Sequence, residues 1–178
     1  ETENLVPNHV ISCPHPNVFL TKEVEILPIE VIVRGYLAGS SWRDYQAGRT
    51  ISGIQLPAGM KKSQRFDKPI ITPSTKEEAG KHDLPISSEE IVRSGKVEKT
   101  LWEQVEEYAI KLFDFGTKRA HQRGLILVDT KYEFGILKNT TGQKQLILAD
   151  EIHTQDSSRY WVEASYQDRF NAGEDAEM

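Results

Sequence analysis

The chain has 178 residues, a formal net charge of −5 at pH 7 and a sequence pI of about 5.6. This length suits one ordinary domain or one lobe of a larger enzyme. The negative net charge argues against a nucleic-acid partner. A chain with this net charge can still contain a local basic pocket. The single cysteine, Cys13, excludes a disulfide framework and a cysteine-based zinc site.

No stretch of the sequence predicts a membrane partner. The longest apolar runs have about four residues, as at 125–128, whereas a helix that crosses a bilayer needs roughly 20. The sequence begins at Glu1, and no basic start leads into an apolar stretch as in a signal peptide. We therefore expect a cytoplasmic protein whose numbered chain begins inside a longer gene product or after processing.

The first half of the chain combines strands with long polar connections. Residues 1–23 contain three prolines and are predicted to be a peripheral connection. β-Branched residues dominate from Glu23 to Val33, which predicts a strand pair or one strand bent at Pro28. A short helix is predicted near 41–46. The stretch 61–86 is polar and proline-rich, which favours a long irregular segment of the functional or disordered kind.

The second half predicts two helices and a hairpin. Ser87 and Glu90 have the spacing of a capping box, with Gly95 as the helix stop. The clearest helix ends at Gly124, and its apolar residues recur at core-packing intervals: Leu101, Val105, Ala109 and Leu112.

Two strands follow, over 125–136 and 146–148, joined by a polar turn. From Ala164 the chain is polar and acidic, so we assign 166–178 to a frayed tail and 24–165 to the main domain.

Three charged residues follow the apolar start of the first hairpin strand. Because side chains alternate along a strand, Asp129, Lys131 and Glu133 are predicted to share one face. A strand that changes from buried aliphatic residues to charges on one face has usually reached a cleft.

The hairpin register suggests a metal site. A turn centred on Thr141 and Gly142 would place Glu133 opposite Asp150, and two facing carboxylates repel unless a cation or a proton lies between them. One or two carboxylates, completed by substrate phosphates and water, normally hold Mg²⁺. The alternative is a solvated surface hairpin, and the spacing alone does not decide between them. The five histidines show no pairwise metal spacing, so no zinc site is assigned.

Two segments have the composition of an anion site. Arg34 precedes a glycine followed by Ser40 and Ser41, where a helix with free amide groups could begin, but simple N-capping explains these serines equally well. Arg159 follows Ser158 and a second serine and could bind a phosphate. For that segment alone a capped turn is the better explanation.

Four long stretches resemble the SAICAR synthetase (phosphoribosylaminoimidazole-succinocarboxamide synthase) family in residues, order and spacing. Together they run through most of residues 24–165. They are EVIVRGYLAGSSWRDY at 30–45, GIQLPAGMKKSQRFDKPIITPSTKEEAGKHD at 53–83, LILVDTKYEFGI at 125–136 and LADEIHTQDSSRYW at 148–161.

The resemblance implies an α+β fold. The chain would be the larger C-terminal lobe of a two-lobed ATP-binding protein, with an antiparallel or mixed sheet packed with helices. The implied reaction converts ATP, the carboxylated aminoimidazole ribotide (CAIR) and L-aspartate into SAICAR, ADP and phosphate through a CAIR acyl phosphate. ATP and Mg²⁺ are the implied cofactors, and an N-terminal lobe or a second copy of the chain is the implied protein partner.

The resemblance also implies roles for individual residues. Glu133 and Asp150 match the Mg²⁺ carboxylates, Lys131 matches a lysine at the aspartate and acyl-phosphate site, and Asp129 is a candidate polar support for it. The substrate-binding candidates are Arg34, Ser40, Ser41, Ser158 and Arg159 for the ribotide, with Lys76 as a further contact.

Departures from the family pattern keep two alternatives open. Nothing in the chain matches the family's N-terminal lobe, and Gln155 stands where proline is usual. One alternative is a small-molecule kinase on a similar ATP-binding scaffold. The other is a truncated, non-catalytic module that binds a ribotide or pairs with another subunit.

Overall fold

The computed structural model describes residues 2, 4–76, 83–138 and 142–174. They form nine strands and four helices, which confirms the predicted α+β class. None of these helices combines the length and apolar character that crossing a membrane requires. The strands are β1 Val10–His15, β2 Val18–Thr21, β3 Glu25–Ile26, β4 Ile29–Tyr36, β5 Arg65–Ile71, β6 Ser74–Thr75, β7 Leu125–Lys138, β8 Lys144–Ala149 and β9 Ser158–Val162. The helices are α1 Gly39–Gln46, α2 Ser88–Arg93, α3 Lys99–His121 and α4 Glu163–Ala172.

The longest strand, β7, lies at the centre of a seven-stranded antiparallel sheet. On one side it pairs with β3 and β4, and on the other side with β8 and β9. The predicted bend at Pro28 separates β3 from β4, and the loop of residues 150–157 separates β8 from β9. Both interruptions border residues 131–134 of β7, where the predicted functional side chains are concentrated.

Helix α3 packs on β7 and β4, and its apolar side supplies the main core. Val105, Ala109 and Leu112 are fully buried, as their helical spacing predicts. They belong to one cluster with Val33 of β4 and Phe134 of β7. Burial of each large aliphatic side chain contributes about 2 kcal/mol, so this layer holds β7 firmly in place.

The short helices begin close to their predicted positions. The Ser87 hydroxyl accepts a hydrogen bond from the Glu90 backbone amide at 3.1 Å, which confirms the serine half of the capping box. Gly95 follows α2 with a left-handed φ of +72°. Helix α1 includes the residues 41–46 for which a short helix was predicted.

Three segments differ from their predictions. The stretch 61–86 is not wholly irregular, because β5 and β6 pair with β4 and obtain their backbone hydrogen bonds there. Residues 1–23 include the exposed hairpin of β1 and β2 and are thus peripheral but not structureless.

The expectation of a frayed tail over 166–178 is wrong for 166–172, which belong to α4. Tyr166 of this helix stacks on Trp161 with ring centroids 5.5 Å apart and on Phe170 at 5.8 Å. Aromatic packing therefore orders a segment that its polarity alone would leave frayed.

Candidate functional site

A charged surface lies on the face of the sheet opposite α3. Tyr132 and Phe134 are fully buried in the core beneath α3, so the alternating residues of β7 point to the other face. A register irregularity between Leu127 and Asp129, where β7 meets β9, precedes this stretch. The predicted trio of Asp129, Lys131 and Glu133 therefore shares one face.

The first part of this surface is a buried ion pair between neighbouring strands. Arg34 of β4 lies opposite Asp129 of β7 in the sheet register, and Arg34 Nη1 donates to Asp129 Oδ2 at 3.0 Å. Arg34 Nε donates to Thr72 Oγ1 at 2.9 Å, and Nη2 donates to Ser40 Oγ at 3.2 Å. Burial lowers the pKa of Arg34, while the charge of Asp129 opposes that change, and the guanidinium remains charged at any physiological pH.

A second guanidinium flanks the same carboxylate. Arg159 of β9 lies opposite Asp129 on the other side of β7, with Nη1 3.8 Å from Asp129 Oδ2. Gly39, at the first position of α1, makes room for it, since a Cβ built there would lie 2.5 Å from Arg159 Nη2. Two arginines share one carboxylate beside the start of a helix, which leaves an excess of positive charge suited to an anion.

The serines of the two predicted anion segments take different roles. The Ser41 hydroxyl donates to the Ala38 carbonyl at 2.7 Å and is buried, so its proton is used within the fold. Ser40 instead reaches Arg34, and the cap residue of α1, Ala38, has no side-chain hydrogen bond. N-capping by a serine therefore does not explain this segment. The Ser158 hydroxyl lies 2.8 Å from Thr130 Oγ1.

The second part of the surface is a group of alternating charges. Lys131 Nζ lies 2.9 Å from Glu30 Oε1 and 3.5 Å from Glu133 Oε1, and Lys76 Nζ lies 2.5 Å from Glu133 Oε2. Burial lowers the pKa of Lys131, but its bonds and charge interactions with Glu30 and Glu133 outweigh burial and raise that pKa. Lys131 is therefore a protonated ammonium group, suited to stabilising negative charge and unsuited to acting as a base.

Glu30 is the member of this surface that the sequence analysis missed. It is part of β4, two residues before Ile32 and four before Arg34, so strand alternation places it on the same face. The alternation of Glu30, Ile32 and Arg34 could have been found in the sequence. It was missed because Glu30 stands among apolar residues.

The predicted register between the carboxylates is wrong by one residue. Glu133 lies opposite Ala149, and Asp150 follows the end of β8 in a bend with a φ of +57°. Thr141, one of the two turn residues, lies outside the described residues. A one-residue change in register pairs each residue with a neighbour that the prediction placed on the other face, so Glu133 and Asp150 are not a cross-strand pair. The polar residues of the turn carry no hydrophobic pattern that would fix the register, and this is why the sequence left it open.

The chemistry of the donors fits Mg²⁺ held jointly with phosphates. Glu133 is only 7% exposed and already has the lysine cations of Lys76 and Lys131 as neighbours. Within the described ranges no group of three or more histidine, cysteine or acidic side chains could hold a metal ion. A protein-only cage is therefore not observed there, whereas Mg²⁺ normally takes one or two carboxylates completed by substrate oxygens, and the Glu133 carboxylate has that chemistry.

Comparison with known proteins finds one family along the whole chain. The SAICAR synthetase family model matches residues 1–178. A phosphoribosylaminoimidazole-succinocarboxamide synthase of Legionella pneumophila (strain Paris) is 49% identical over 181 residues, which cover 99% of this chain and 56% of that protein. The chain thus spans little more than half the length of the curated relatives it matches.

Solved structures of the same family resemble the fold of this chain. SAICAR synthase from Saccharomyces cerevisiae, complexed with SAICAR, is 36% identical with a TM-score of 0.78 and covers 93% of this chain and 59% of that one. A SAICAR synthetase (Type-2) in complex with ADP is 26% identical with a TM-score of 0.71 and covers 95% of this chain and 66% of that one.

Proposed function

Because the chain belongs to the SAICAR synthetase family, we propose that it is the catalytic lobe of an ATP-dependent ligase that joins CAIR and L-aspartate. The products would be SAICAR, ADP and phosphate. The observation that carries the proposal is the continuous charged face in which two arginines and two lysines surround Asp129 and Glu133. Structural relatives solved in complex with SAICAR and with ADP support the choice of ligands.

The arginine end of this face suits the ribotide. A ribotide phosphate or carboxylate would accept hydrogen bonds from Arg34, Arg159 and Ser40, next to the N-terminus of α1. Asp129 would hold both guanidinium groups in place, as it does in the structure. These are positioning interactions, and positioning is the main contribution a protein makes to phosphoryl transfer.

The lysine end suits the reacting groups. In the first step a carboxylate oxygen of CAIR attacks the terminal phosphorus of ATP, which forms the acyl phosphate and releases ADP. In the second step the aspartate amine attacks the carbonyl carbon, and inorganic phosphate leaves as the amide forms. The Lys131 ammonium would stabilise negative charge that develops in either step, and Lys76 would assist as a second cation.

Glu133 and Asp150 are the residues that we propose hold Mg²⁺. The bound ion would supply charge neutralisation of the nucleotide phosphates. In the structure the Lys76 ammonium lies beside Glu133, so the proposed ion would share this carboxylate with a lysine or displace it. The cytoplasmic location and any homo-oligomer or lobe partner remain predictions.

An ADP-release assay on the product of the complete gene tests this function. We expect ADP release to require CAIR, Mg²⁺ and L-aspartate, whereas a small-molecule kinase would release ADP without aspartate. Glu133→Ala and Asp150→Ala should each lower turnover about 100-fold or more, because each removes a charged group that acts on the transferring phosphoryl group.

Glu107→Ala is the matched control, since Glu107 is an exposed carboxylate of α3 that pairs only with Lys111 among the contacts observed. Turnover of Glu133→Ala and Asp150→Ala equal to that of the control would reject the metal assignment. Aspartate-independent ADP release would reject the ligase.

A further inference from the structure

The loop of residues 150–157 connects the two ends of the proposed site. Asp150, a proposed metal ligand, begins the loop, and β9 follows it with Arg159 in the proposed anion site. The Lys131 backbone amide donates to the Ser157 carbonyl at 2.9 Å, which fixes the far end of the loop to β7. The near end needs an attachment of its own if Asp150 is to hold a defined position.

His153 provides that attachment. Its Nε2 lies 2.7 Å from the Tyr132 hydroxyl, and the two rings meet edge to face with centroids 5.6 Å apart. The Tyr160 hydroxyl donates to the His153 carbonyl at 2.9 Å. The His153 backbone has a φ of +57°, which costs free energy for a residue other than glycine and persists where the surroundings determine it.

Both groups of this hydrogen bond are neutral near pH 7. Burial lowers the pKa of His153 to about 4, so the imidazole is neutral near pH 7. Burial also raises the pKa of Tyr132, which therefore keeps its proton. Either tautomer of the neutral imidazole keeps the bond, because the tyrosine O–H can donate to a bare Nε2 or an Nε2–H can donate to the tyrosine oxygen.

Helix α3 leaves space for the imidazole. A Cβ built on Gly116 would lie 2.6 Å from both Cε1 and Nε2 of His153, closer than real Cβ contacts allow. Glycine at this position thus lets the ring reach Tyr132 between the helix and the sheet.

Tyr132 links this anchor to the proposed chemistry. It lies between Lys131 and Glu133 on β7, with its side chain on the core face and theirs on the opposite face. We propose that His153 is a positioning residue: its bond to Tyr132 holds the loop so that Asp150 and Arg159 keep their places relative to Glu133 and Asp129. This inference rests on the proposed function for the identity of the two ligand sites.

Two substitutions of His153 separate positioning from packing. His153→Leu keeps a similar volume but removes the hydrogen-bonding nitrogen, whereas His153→Gln can place an amide group, which donates or accepts, near the former Nε2. Outer residues that orient metal ligands typically change metal affinity by about 10- to 100-fold. We expect His153→Leu to raise the Mn²⁺ dissociation constant, measured by electron paramagnetic resonance with ATP present, by about tenfold or more, and the KM for CAIR to rise with it. His153→Gln should stay within about threefold of wild type.

Two further variants disturb the Tyr132–His153 hydrogen bond without changing His153 itself. Tyr132→Phe removes only the hydroxyl and keeps the ring, so it tests the proposal even if His153→Leu fails to fold. Gly116→Ala adds a methyl group where the imidazole lies and should displace it. Both should weaken Mn²⁺ and CAIR binding in the same direction as His153→Leu.

Ile91→Val is the control for general destabilisation, because Ile91 is a fully buried core residue of α2. It should lower the thermal midpoint without changing either ligand constant. Wild-type ligand constants in His153→Leu or Tyr132→Phe would overturn the positioning role. Absence of aspartate-dependent ADP release by the wild-type product of the complete gene would instead reject the proposed function, while the Mn²⁺ dissociation constants of the variants would still test the positioning role of His153.

Discussion

At the scale of single residues, the charged face shows how a fold keeps ionised groups in a nearly buried position. Arg34 and Asp129 are 8% and 7% exposed, and each would be costly to bury alone. Arg34 meets three different partners, one for each nitrogen of its guanidinium group. A flat group with fixed donor directions can make this set of bonds, whereas a lysine ammonium at the same place cannot.

Arg34→Lys tests this dependence on shape at constant charge. We expect a loss of about 2 kcal/mol in the free energy of unfolding, because donor geometry is lost and Thr72 and Asp129 become partly unsatisfied. The KM for CAIR should rise more than the KM for ATP. Urea unfolding and steady-state kinetics measure the two effects. Arg49→Lys, at an exposed arginine that pairs with Asp44, should change neither quantity, and a similar loss there would contradict the prediction.

The buried imidazole of His153 predicts a dependence of stability on pH. Its pKa is lowered from 6.5 to about 4 in the folded protein, so the unfolded chain binds a proton more readily between these values. The free energy of unfolding should therefore fall as the pH drops from about 6.5 to about 4, with a contribution from this group of up to about 3 kcal/mol.

Other groups titrate in the same range, so the informative quantity is the difference between wild type and His153→Gln. Chemical unfolding at several pH values should show a shallower acid slope for His153→Gln. Parallel curves for the two proteins would show that His153 is not the cause.

At the scale of elements, the start of α1 is shaped by a strand that is distant in sequence. Gly39 has a φ of +58°, and Arg159 of β9 occupies the space where a side chain would begin. The helix start and the arginine are therefore compatible only when this position carries glycine.

Gly39→Ala and Gly48→Ala form a matched pair at the two ends of α1. Both positions have a positive φ, so each alanine should cost about 1 kcal/mol of stability. Only Gly39 has neighbouring atoms within 4 Å of the added Cβ. Gly39→Ala should therefore also raise the KM for CAIR by about 10- to 100-fold through displacement of Arg159, as small misplacements at a reacting site can. Equal kinetics in the two variants would refute that reasoning.

At the scale of the whole molecule, the chain matches little more than half the length of its curated relatives. The charged face belongs to one side of one sheet, and the nucleotide phosphates would need covering groups to exclude water. We expect the isolated 178-residue chain to show little or no ligase activity, although it should retain its fold and bind CAIR detectably. A coupled ADP-release assay and calorimetry measure these properties, and normal turnover by the purified chain would disprove the expectation.

Several elements were predictable because their cause is local. The periodic apolar residues of α3, the capping serine of α2 and the alternation of β7 depend on neighbours within a few positions. The same alternation was sufficient to place Asp129, Lys131 and Glu133 on one face. Helix α4 and strand β5 escaped prediction because Trp161 and β4, respectively, supply the packing and the hydrogen bonds that order them.

The sequence by itself determined the central hairpin and the identity of the charged candidates, since residue type and period carry that information, and its resemblance to a known family implied the α+β class. Only the tertiary structure decided that Arg34 and Arg159 share one carboxylate, that Glu30 joins Lys131 and that His153 reaches Tyr132. It also set the hairpin register one residue away from the predicted one. These contacts join residues from separate strands, and their geometry depends on strand pairing and core packing over distances that no local pattern encodes.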